Sequence, residues 1–479
     1  MNDVRVRYAP SPTGHLHLGS LRVALFNWLF ARHTKGVYLL RIEDTDIERS
    51  TQEYTTSILE TLAWAGIEAD EPVVIQSKQI ALHKQVIEQM LAAGTAYRCF
   101  CTPEELQTRL GASAAQEGGY TKYDKKCLFK TVTEEDLAKP YAVRFKLPDD
   151  KDIISFDDLI RGTISFDRNQ FDDFIIMRSD GTPMYNFVVV VDDAHMNITH
   201  VLRGEDHISN TPKQLLLYRA CGYKIPLFGH FPMILGPDGN KLSKRDAATA
   251  VLDYKHTGFL ADALCNYLVR LGWSHGDQEI FTREELINYF SLDHVGKKGA
   301  IFDIKKLEWM NSIYVKSLTA DEIISYIERD VDPLFRSYFP DWDASILASG
   351  IELYKERIKT LKELVCELRS LYQRPCTIDV EELKSWSTVY TEHDMAALED
   401  ALRVQEDFSP QSLSQMIKTL CARLQRTLGD LAKPLRVALT GKSSSPGVFE
   451  LLSLLGKKES MARLHHFRQM ISKEEGVRR

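Results

Sequence analysis

Near its start the chain spells a strand, a rigid turn, a helix and a second strand in quick succession. Val4-Arg5-Val6-Arg7-Tyr8 alternates like a short strand, and the two prolines and glycine of Ala9-Pro10-Ser11-Pro12-Thr13-Gly14 end it. From 15 to 32 the residues Leu18, Leu21, Leu25 and Leu29 recur at helical spacing, Gly36 closes the segment, and Val37–Ile42 reads as the next strand. Parallel neighbours need a crossover helix, so this order opens a doubly wound parallel sheet. Ligands of such sheets sit beyond the carboxyl ends of the strands, and phosphates favour the first turn and the helix N-terminus behind it.

Helical spacing continues through 51–65 and 78–93. Residues 97 to about 178 change character, with three cysteines, a Gly118-Gly119 turn and alternating stretches such as Tyr141-Ala142-Val143-Arg144-Phe145-Lys146-Leu147, and read as an insertion with strands. The run Phe187-Val188-Val189-Val190-Val191 is expected to restore the parallel sheet, followed by a strand at 199–202 and a helix near 210–220. Beyond about Asp332 the pattern is amphipathic helix, for example 351–371, punctuated by Pro340, Pro375 and Pro434. With 44% hydrophobic and 27% charged residues, the 479-residue chain falls in the globular range and outside the disordered and collagen-like classes. Its longest apolar cluster is five residues against the roughly 18 that a membrane span needs, and Met1-Asn2-Asp3-Val4-Arg5 lacks a signal-peptide layout, so a cytosolic protein is expected. Eight cysteines do not resemble a disulfide scaffold. The net charge of −7 conceals a basic end, 13 Lys and Arg against five Asp and Glu from Pro410 onward. Such an end on an acidic body can hold a polyanion locally, or be the solvated face of a helical domain.

Two constellations carry chemistry. Pro10-Ser11-Pro12-Thr13-Gly14-His15-Leu16-His17-Leu18-Gly19-Ser20 lies at the strand-to-helix turn, where a nucleotide can approach the backbone and imidazoles can stabilise charge growing on a phosphate. Lys241-Leu242-Ser243-Lys244-Arg245 follows Gly236-Pro237-Asp238-Gly239-Asn240, and cations beside a glycine-rich turn suit a loop that clamps triphosphate and stabilises departing pyrophosphate. Singly, each has an ordinary structural reading. Together they resemble the H-I-G-H and K-M-S-K-S signatures of class I aminoacyl-tRNA synthetases, with Ser20 and Arg245 departing at the final positions as is usual in the glutamyl branch. Ala24-Leu25-Phe26-Asn27-Trp28-Leu29-Phe30-Ala31-Arg32, Arg41-Ile42-Glu43-Asp44-Thr45-Asp46, Tyr185-Asn186-Phe187, Val191-Asp192-Asp193, Arg203-Gly204-Glu205-Asp206-His207 and Pro434-Leu435-Arg436-Val437-Ala438-Leu439-Thr440-Gly441 are similar to bacterial glutamyl-tRNA synthetases.

That resemblance implies an α/β Rossmann-like catalytic domain with an α+β insertion and an all-α anticodon-binding region. The implied divisions are 1–95 and 181–250 for the two catalytic halves, 96–180 for an acceptor-binding insertion, 251–330 for a stem-contact helical domain and 331–479 for anticodon binding. It implies ATP-dependent attachment of L-glutamate to tRNA-Glu through glutamyl-adenylate, with Mg2+ accompanying ATP. His15, His17, Lys241 and Lys244 would stabilise charge. Arg7, Tyr185 and Arg203 would meet the glutamate carboxylates, Glu43 the amino group, and Ala9 and Ser11 would line the pocket. His17, Gly19, Asp206, Ile234 and Lys244 would hold ATP, while Asp44 and Asp46 either order the site or touch a substrate. A cytoplasmic monomer without membrane partners is expected. Glutaminyl-tRNA synthetase carries β-barrels where this chain has helices, a shorter queuosine-modifying relative lacks the last 150 or so residues, and a small-metabolite nucleotidyltransferase would not explain Lys241 and Lys244.

Two points stay open at this level. Cys99, Cys101 and Cys127 could form a tetrahedral zinc site, for which the resemblance implies a tyrosine or a histidine as fourth ligand; Phe129 stands at the histidine position, so Tyr123 would have to serve, and two buried strand cysteines with an incidental thiol are the alternative. Arg357 and Lys359 are expected on a helix, where the Arg357 guanidinium could read a base edge bidentately or pair with Glu356 or Glu363.

Overall fold

A computed structural model describes residues 4–46, 48–114, 122–149, 152–240, 242, 250–375 and 392–477. The chain divides into two compact units, Met1–Leu252 with Ala261–Ile304, and Asp253–Leu260 with Lys305–Arg479. No helix among the described residues is long and apolar enough to cross a membrane.

The first unit is built on β1 (Arg5–Tyr8) and β2 (Val37–Ile42), parallel with Arg7 opposite Leu39, and connected by α1 (Leu18–His33). Leu18, Leu21, Leu25 and Leu29 of α1 are buried as their spacing requires. Gly36 is needed for a close approach, because a Cβ there would sit 2.5 Å from the Val4 carbonyl oxygen. After α2 (Gln52–Trp64), β3 (Val74–Ile75) pairs with β2, and α3 (Ile80–Ala92) leads to β4 (Ala96–Cys99). β4, β5 (Ala142–Phe145) and β8 (Ile175–Met177) form a separate antiparallel sheet. The hairpin β6 (Ile153–Asp158) and β7 (Gly162–Asp167), read from the sequence as part of the insertion, instead extends the main sheet through Asp158 opposite Phe228. With β9 (His200–Gly204) and β10 (Leu227–Phe231), the main sheet runs β3-β2-β1-β9-β10-β6-β7. The chain leaves β1 towards β2 on one side and later returns as β9 on the other, so the carboxyl ends of the paired strands β1 and β9 mark the topological switch point.

The run Phe187-Val188-Val189-Val190-Val191 is not a strand. It forms the middle of α4 (Tyr185–His195), and all five side chains are buried together with Asp192 and Asp193. A helix covered on every side has no polar stripe, so periodicity cannot separate it from a buried strand. α4 packs on α5 (Thr211–Ala220), which lies where a helix was expected. The short strands β11 (Ile234–Leu235) and β12 (Ala300–Ile301) pair in parallel.

The second unit is helical. Residues 351–371 are two helices, α6 (Ala344–Lys355) and α7 (Leu361–Tyr372), because Thr360 starts a new helix by accepting from the Glu363 N–H. Arg357 and Lys359 therefore lie in the connection, not on a helix. Arg357 Nη2 is 3.3 Å from Ser444 Oγ, with no ion pair to Glu356 or Glu363 among the described residues, while Lys359 Nζ pairs with Glu308 at 2.6 Å and the Lys359 N–H donates to Glu363 at 2.7 Å. α8 (Glu392–Val404), α9 (Pro410–Leu424), α10 (Leu428–Thr440) and α11 (Val448–Val477, interrupted at Gly456 with φ 71°) complete it. Pro434 does not punctuate these helices as expected; it sits inside α10. Buried Arg463 donates to the Leu439 carbonyl at 2.5 Å and the Leu371 carbonyl at 2.6 Å, satisfying the C-terminal ends of α10 and α7.

Candidate active site

The turn after β1 is pinned to the end of β2. The Glu43 N–H donates to the Pro10 carbonyl at 2.9 Å, the Thr51 N–H to the Pro12 carbonyl at 3.2 Å, and the Thr13 N–H to the Ser11 carbonyl at 2.9 Å. Ala9 is half-buried and Ser11 exposed at the mouth of this turn. His15 Nδ1 lies 3.0 Å from Ser57 Oγ, with its ring edge-on to Tyr54. His17 is the N-cap of α1 and accepts from the Ser20 N–H at 3.2 Å, so one imidazole is fixed where the helix dipole is positive. A Cβ at position 19 would press within 3.2 Å of the His17 ring, and glycine there leaves the helix start open.

Beneath the turn lies a buried lattice of charge. Arg7, at the end of β1, forms a two-point pair with Asp193, Nε to Oδ1 at 3.0 Å and Nη2 to Oδ2 at 3.2 Å. Fully buried Arg41 donates to Asp193 Oδ1 at 2.6 Å and Glu43 Oε1 at 2.9 Å. Asp192 accepts from His83 at 2.6 Å and Gln76 at 2.7 Å. Burial would raise the Asp193 carboxyl, but Arg7 and Arg41 outweigh it and hold it below the usual carboxylate range. Burial wins at Glu43, whose carboxyl is pushed up although Arg41 and Arg7 oppose this. An ammonium arriving beside Glu43 would favour its charged form.

Arg203 closes the other wall from β9. It is buried, and its Nε donates to His230 Nε2 at 3.2 Å and its Nη2 to Thr211 Oγ1 at 2.9 Å. Its Nη1 is buried with no hydrogen-bond partner, and no carboxylate pairs with this guanidinium among the described residues. Tyr185, the first residue of α4, sets its hydroxyl 3.2 Å from His207 Nδ1. Burial, then Glu43, pushes the phenol up to about 12. Burial and then Arg203 lower His207 to about 4, so this ring is neutral at physiological pH. Asp206 is exposed beside Gly204, and the Ile234 carbonyl accepts from the Leu242 N–H at 3.2 Å. Lys241 and Lys244 lie outside the described residues.

The structure thus gathers Arg7, Glu43, Tyr185 and Arg203 in one electrostatic neighbourhood at the switch point, since the charges of Glu43, Arg203 and Arg7 all act on Tyr185. Asp44 accepts from the Ser77 N–H at 2.8 Å and the Ser77 hydroxyl at 2.7 Å, while half-buried Asp46 pairs with Arg49. Sequence reasoning gave no role to Arg41, His83, Asp158, Asp192, Asp193, Thr211 or His230. The available signal was two aspartates directly after an apolar run, since carboxylates are rarely buried without a partner.

In the small antiparallel sheet and the chain beside it, Cys99, Cys101 and Cys127 bring their sulfurs within 4.8 Å of one another, a group that could hold a metal ion. Tyr123 Oη is 3.4 Å from Cys99 Sγ and 3.6 Å from Cys101 Sγ, and Cys101 and Cys127 are 3.6 Å apart. Arg144 donates to Cys99 at 3.3 Å and Arg109 to Cys101 at 3.5 Å.

Residues 3–309 match the family described as tRNA synthetases class I (E and Q), catalytic domain, and residues 322–468 match an anticodon binding domain. The glutamate–tRNA ligase of Thermodesulfovibrio yellowstonii is 44% identical over 96% of this chain and 98% of its own length. That of Geobacter sulfurreducens is 44% identical over 97% and 98%. A crystal structure of a glutamate tRNA ligase from Elizabethkingia meningosepticum, in complex with its amino acid, superposes with a TM-score of 0.87 at 31% identity, covering 98% of this chain and all of that one. With near-complete relatives, a matching catalytic domain and a cluster of charged side chains at the switch point of its sheet, the chain belongs to the glutamyl-tRNA synthetase family of class I aminoacyl-tRNA synthetases.

Proposed function

We propose that the pocket between β1 and β9 binds L-glutamate for ATP-dependent attachment to tRNA-Glu, the reaction of this ligase family. The observation that carries the assignment is Arg203, a buried guanidinium that among the described residues has one nitrogen without a partner and no paired carboxylate, in a site where Arg7 and Arg41 are already neutralised. A substrate carboxylate supplies the missing anion. Glu43 takes the amino group, Arg7 and Tyr185 assist at the carboxylates, and Ala9 and Ser11 form the mouth.

The glutamate α-carboxylate attacks the α-phosphorus of ATP, giving glutamyl-adenylate and pyrophosphate, and the terminal ribose hydroxyl of the RNA then attacks the mixed anhydride. No covalent nucleophile from the protein is needed, so its contribution is positioning and charge stabilisation. His17 at the α1 N-terminus and His15 face the phosphates, Gly19 leaves room for the nucleotide, Asp206 and the Ile234 backbone hold it, and Lys241 and Lys244 stabilise the leaving pyrophosphate. Mg2+ arrives with ATP and is held mainly by phosphate oxygens. The divisions 1–95, 96–180, 181–250, 251–330 and 331–479 then serve catalysis, acceptor binding, catalysis, stem contact and anticodon binding. The enzyme works as a cytoplasmic monomer.

The cysteine group fits zinc. A tetrahedral ion with sulfur at ~2.3 Å and oxygen at ~2.0 Å sets two sulfurs ~3.8 Å apart and sulfur and oxygen ~3.5 Å apart. The 3.6 Å Cys101–Cys127 and 3.4 Å Cys99–Tyr123 separations are close to those edges. Cys99, Cys101, Cys127 and Tyr123 would hold it, and its part is structural. The test of function is attachment of glutamate and glutamine to separately purified tRNA-Glu and tRNA-Gln. Glutamate on tRNA-Glu is expected, and no charging of either RNA would refute the assignment.

A further inference from the structure

Arg203 does not hold itself in place. Behind it lies a chain of hydrogen bonds from a second strand pair, Asp158 at the end of β6 to His230 on β10 to Arg203 on β9. Asp158 Oδ1 accepts three backbone N–H groups, Arg161 at 2.9 Å, Ile160 at 3.0 Å and His230 at 3.3 Å, which orients the carboxylate and helps hold its carboxyl below the usual range. The other oxygen lies 2.6 Å from His230 Nδ1, and an ionised carboxylate can only accept, so Nδ1 carries the proton. In a neutral ring Nε2 is then a lone pair, and it is this lone pair that faces Arg203 Nε–H at 3.2 Å. His230 is fully buried, with its ring parallel to Phe228. Burial lowers its pKa and Arg203 lowers it further, against the pull of Asp158, so the ring stays neutral.

We infer that Asp158 and His230 are positioning residues for glutamate recognition, a relay that fixes the imidazole tautomer so that the Arg203 fork presents Nη1 to the substrate carboxylate. This inference rests on the pocket assignment above. The alternative is that the two groups satisfy each other in a buried corner and only stabilise the sheet edge. Shape-conserving variants separate the two. In Asp158→Asn the amide oxygen is claimed by the three backbone donors, so the NH2 faces His230 Nδ1 and drives the proton to Nε2, where it opposes a second donor. In His230→Gln the side-chain oxygen can reach the former Nε2 position and still accept from Arg203, whereas in His230→Asn it cannot.

The assay is steady-state charging of tRNA-Glu with glutamate, ATP and RNA varied in turn, alongside thermal unfolding and an Arg203→Ala control. Asp158→Asn and His230→Asn are expected to raise the glutamate KM on the order of 10- to 100-fold, as for a recognition group displaced by about 1 Å, with the ATP and RNA KM values within about twofold of wild type. His230→Gln should recover most of the loss. If Arg203→Ala raises the glutamate KM while Asp158→Asn and His230→Asn leave it within about twofold, the relay is refuted and the pocket assignment stands. If Arg203→Ala also leaves it unchanged, the pocket assignment itself fails. Losses that only track Tm and are spread equally over all three substrates would assign the pair to stability alone and overturn the inference.

Discussion

Replacing Arg203 with glutamine tests the central electrostatic claim, because it exchanges a cation for a neutral donor of similar reach. In the free protein this guanidinium donates to a hydroxyl, a carbonyl and an imidazole and pairs with no carboxylate among the described residues, and burial lowers its pKa while Asp193 pulls it up through space. On the proposed assignment it is a cation held in advance for the glutamate carboxylate. A hydrogen bond involving a charged group contributes ~1.5–3 kcal/mol net, and truncating one partner of a buried, hydrogen-bonded charge pair costs ~2–5 kcal/mol. Among the described residues only Nη1 of this guanidinium lacks a partner, which places the loss near ~3 kcal/mol. At ~1.4 kcal/mol per decade that is about two orders of magnitude in kcat/KM for glutamate. The free protein should not lose stability in step, because a charge that costs desolvation energy has been removed, and its Tm should hold or rise. Aminoacylation kinetics with glutamate varied, together with thermal unfolding of the free protein, measure both quantities. A variant with kcat/KM within about threefold of wild type, or one whose Tm collapses along with its activity, would refute the reasoning.

Other outcomes follow from neighbouring features. Protein purified without chelators should carry about one zinc per chain by elemental analysis, and Cys101→Ser should lose it. Asp193→Asn leaves Arg7 and Arg41 short of their shared anion and should cost ~3–5 kcal/mol by chemical denaturation at neutral pH. The Asp193 carboxyl is depressed in the folded state, so its contribution is present above the unfolded value near ~3.9 and is lost as pH falls through the folded one; the gap between variant and wild type should narrow below about pH 4. Lys244→Ala should slow single-turnover adenylate formation by on the order of 10²-fold with glutamate affinity little changed, as for a charge that acts chiefly in the transition state.

The opening of the sheet was legible because local signals agree there: β-alternation, a proline-rich stop, leucines at helical spacing and a glycine at the close approach to Val4. α4 was not, since its five apolar residues offer no polar face and the β-branched valines favour a strand locally. Length was the better guide. The helix runs eleven residues through Asp192, Asp193 and His195 before Asn197 stops it with a positive φ of 54°, and a strand does not ordinarily continue so far into buried acids. The β6–β7 hairpin was misplaced for a different reason: its attachment to β10 is a pairing across some seventy residues, and alternation along a strand says nothing about its neighbour.

The pocket divides in the same way. Residues proposed to touch a ligand, Arg7, Glu43 and Arg203, could be named from a motif because a motif records what the chemistry needs. The groups that make those residues usable are set by long-range pairing. Asp193 meets Arg7 across 186 residues and His230 meets Asp158 across 72. Their common logic is charge placement at the end of a sheet. One arginine is matched to a carboxylate, a second bridges carboxylates, and a third is held by neutral acceptors so that its charge is left over. A pocket in which every cation had its own aspartate would be more stable and would have less attraction for glutamate. On the proposed assignment, selectivity for an acid over its amide would rest on which arginine is denied a carboxylate, a property of the folded network that no single residue carries.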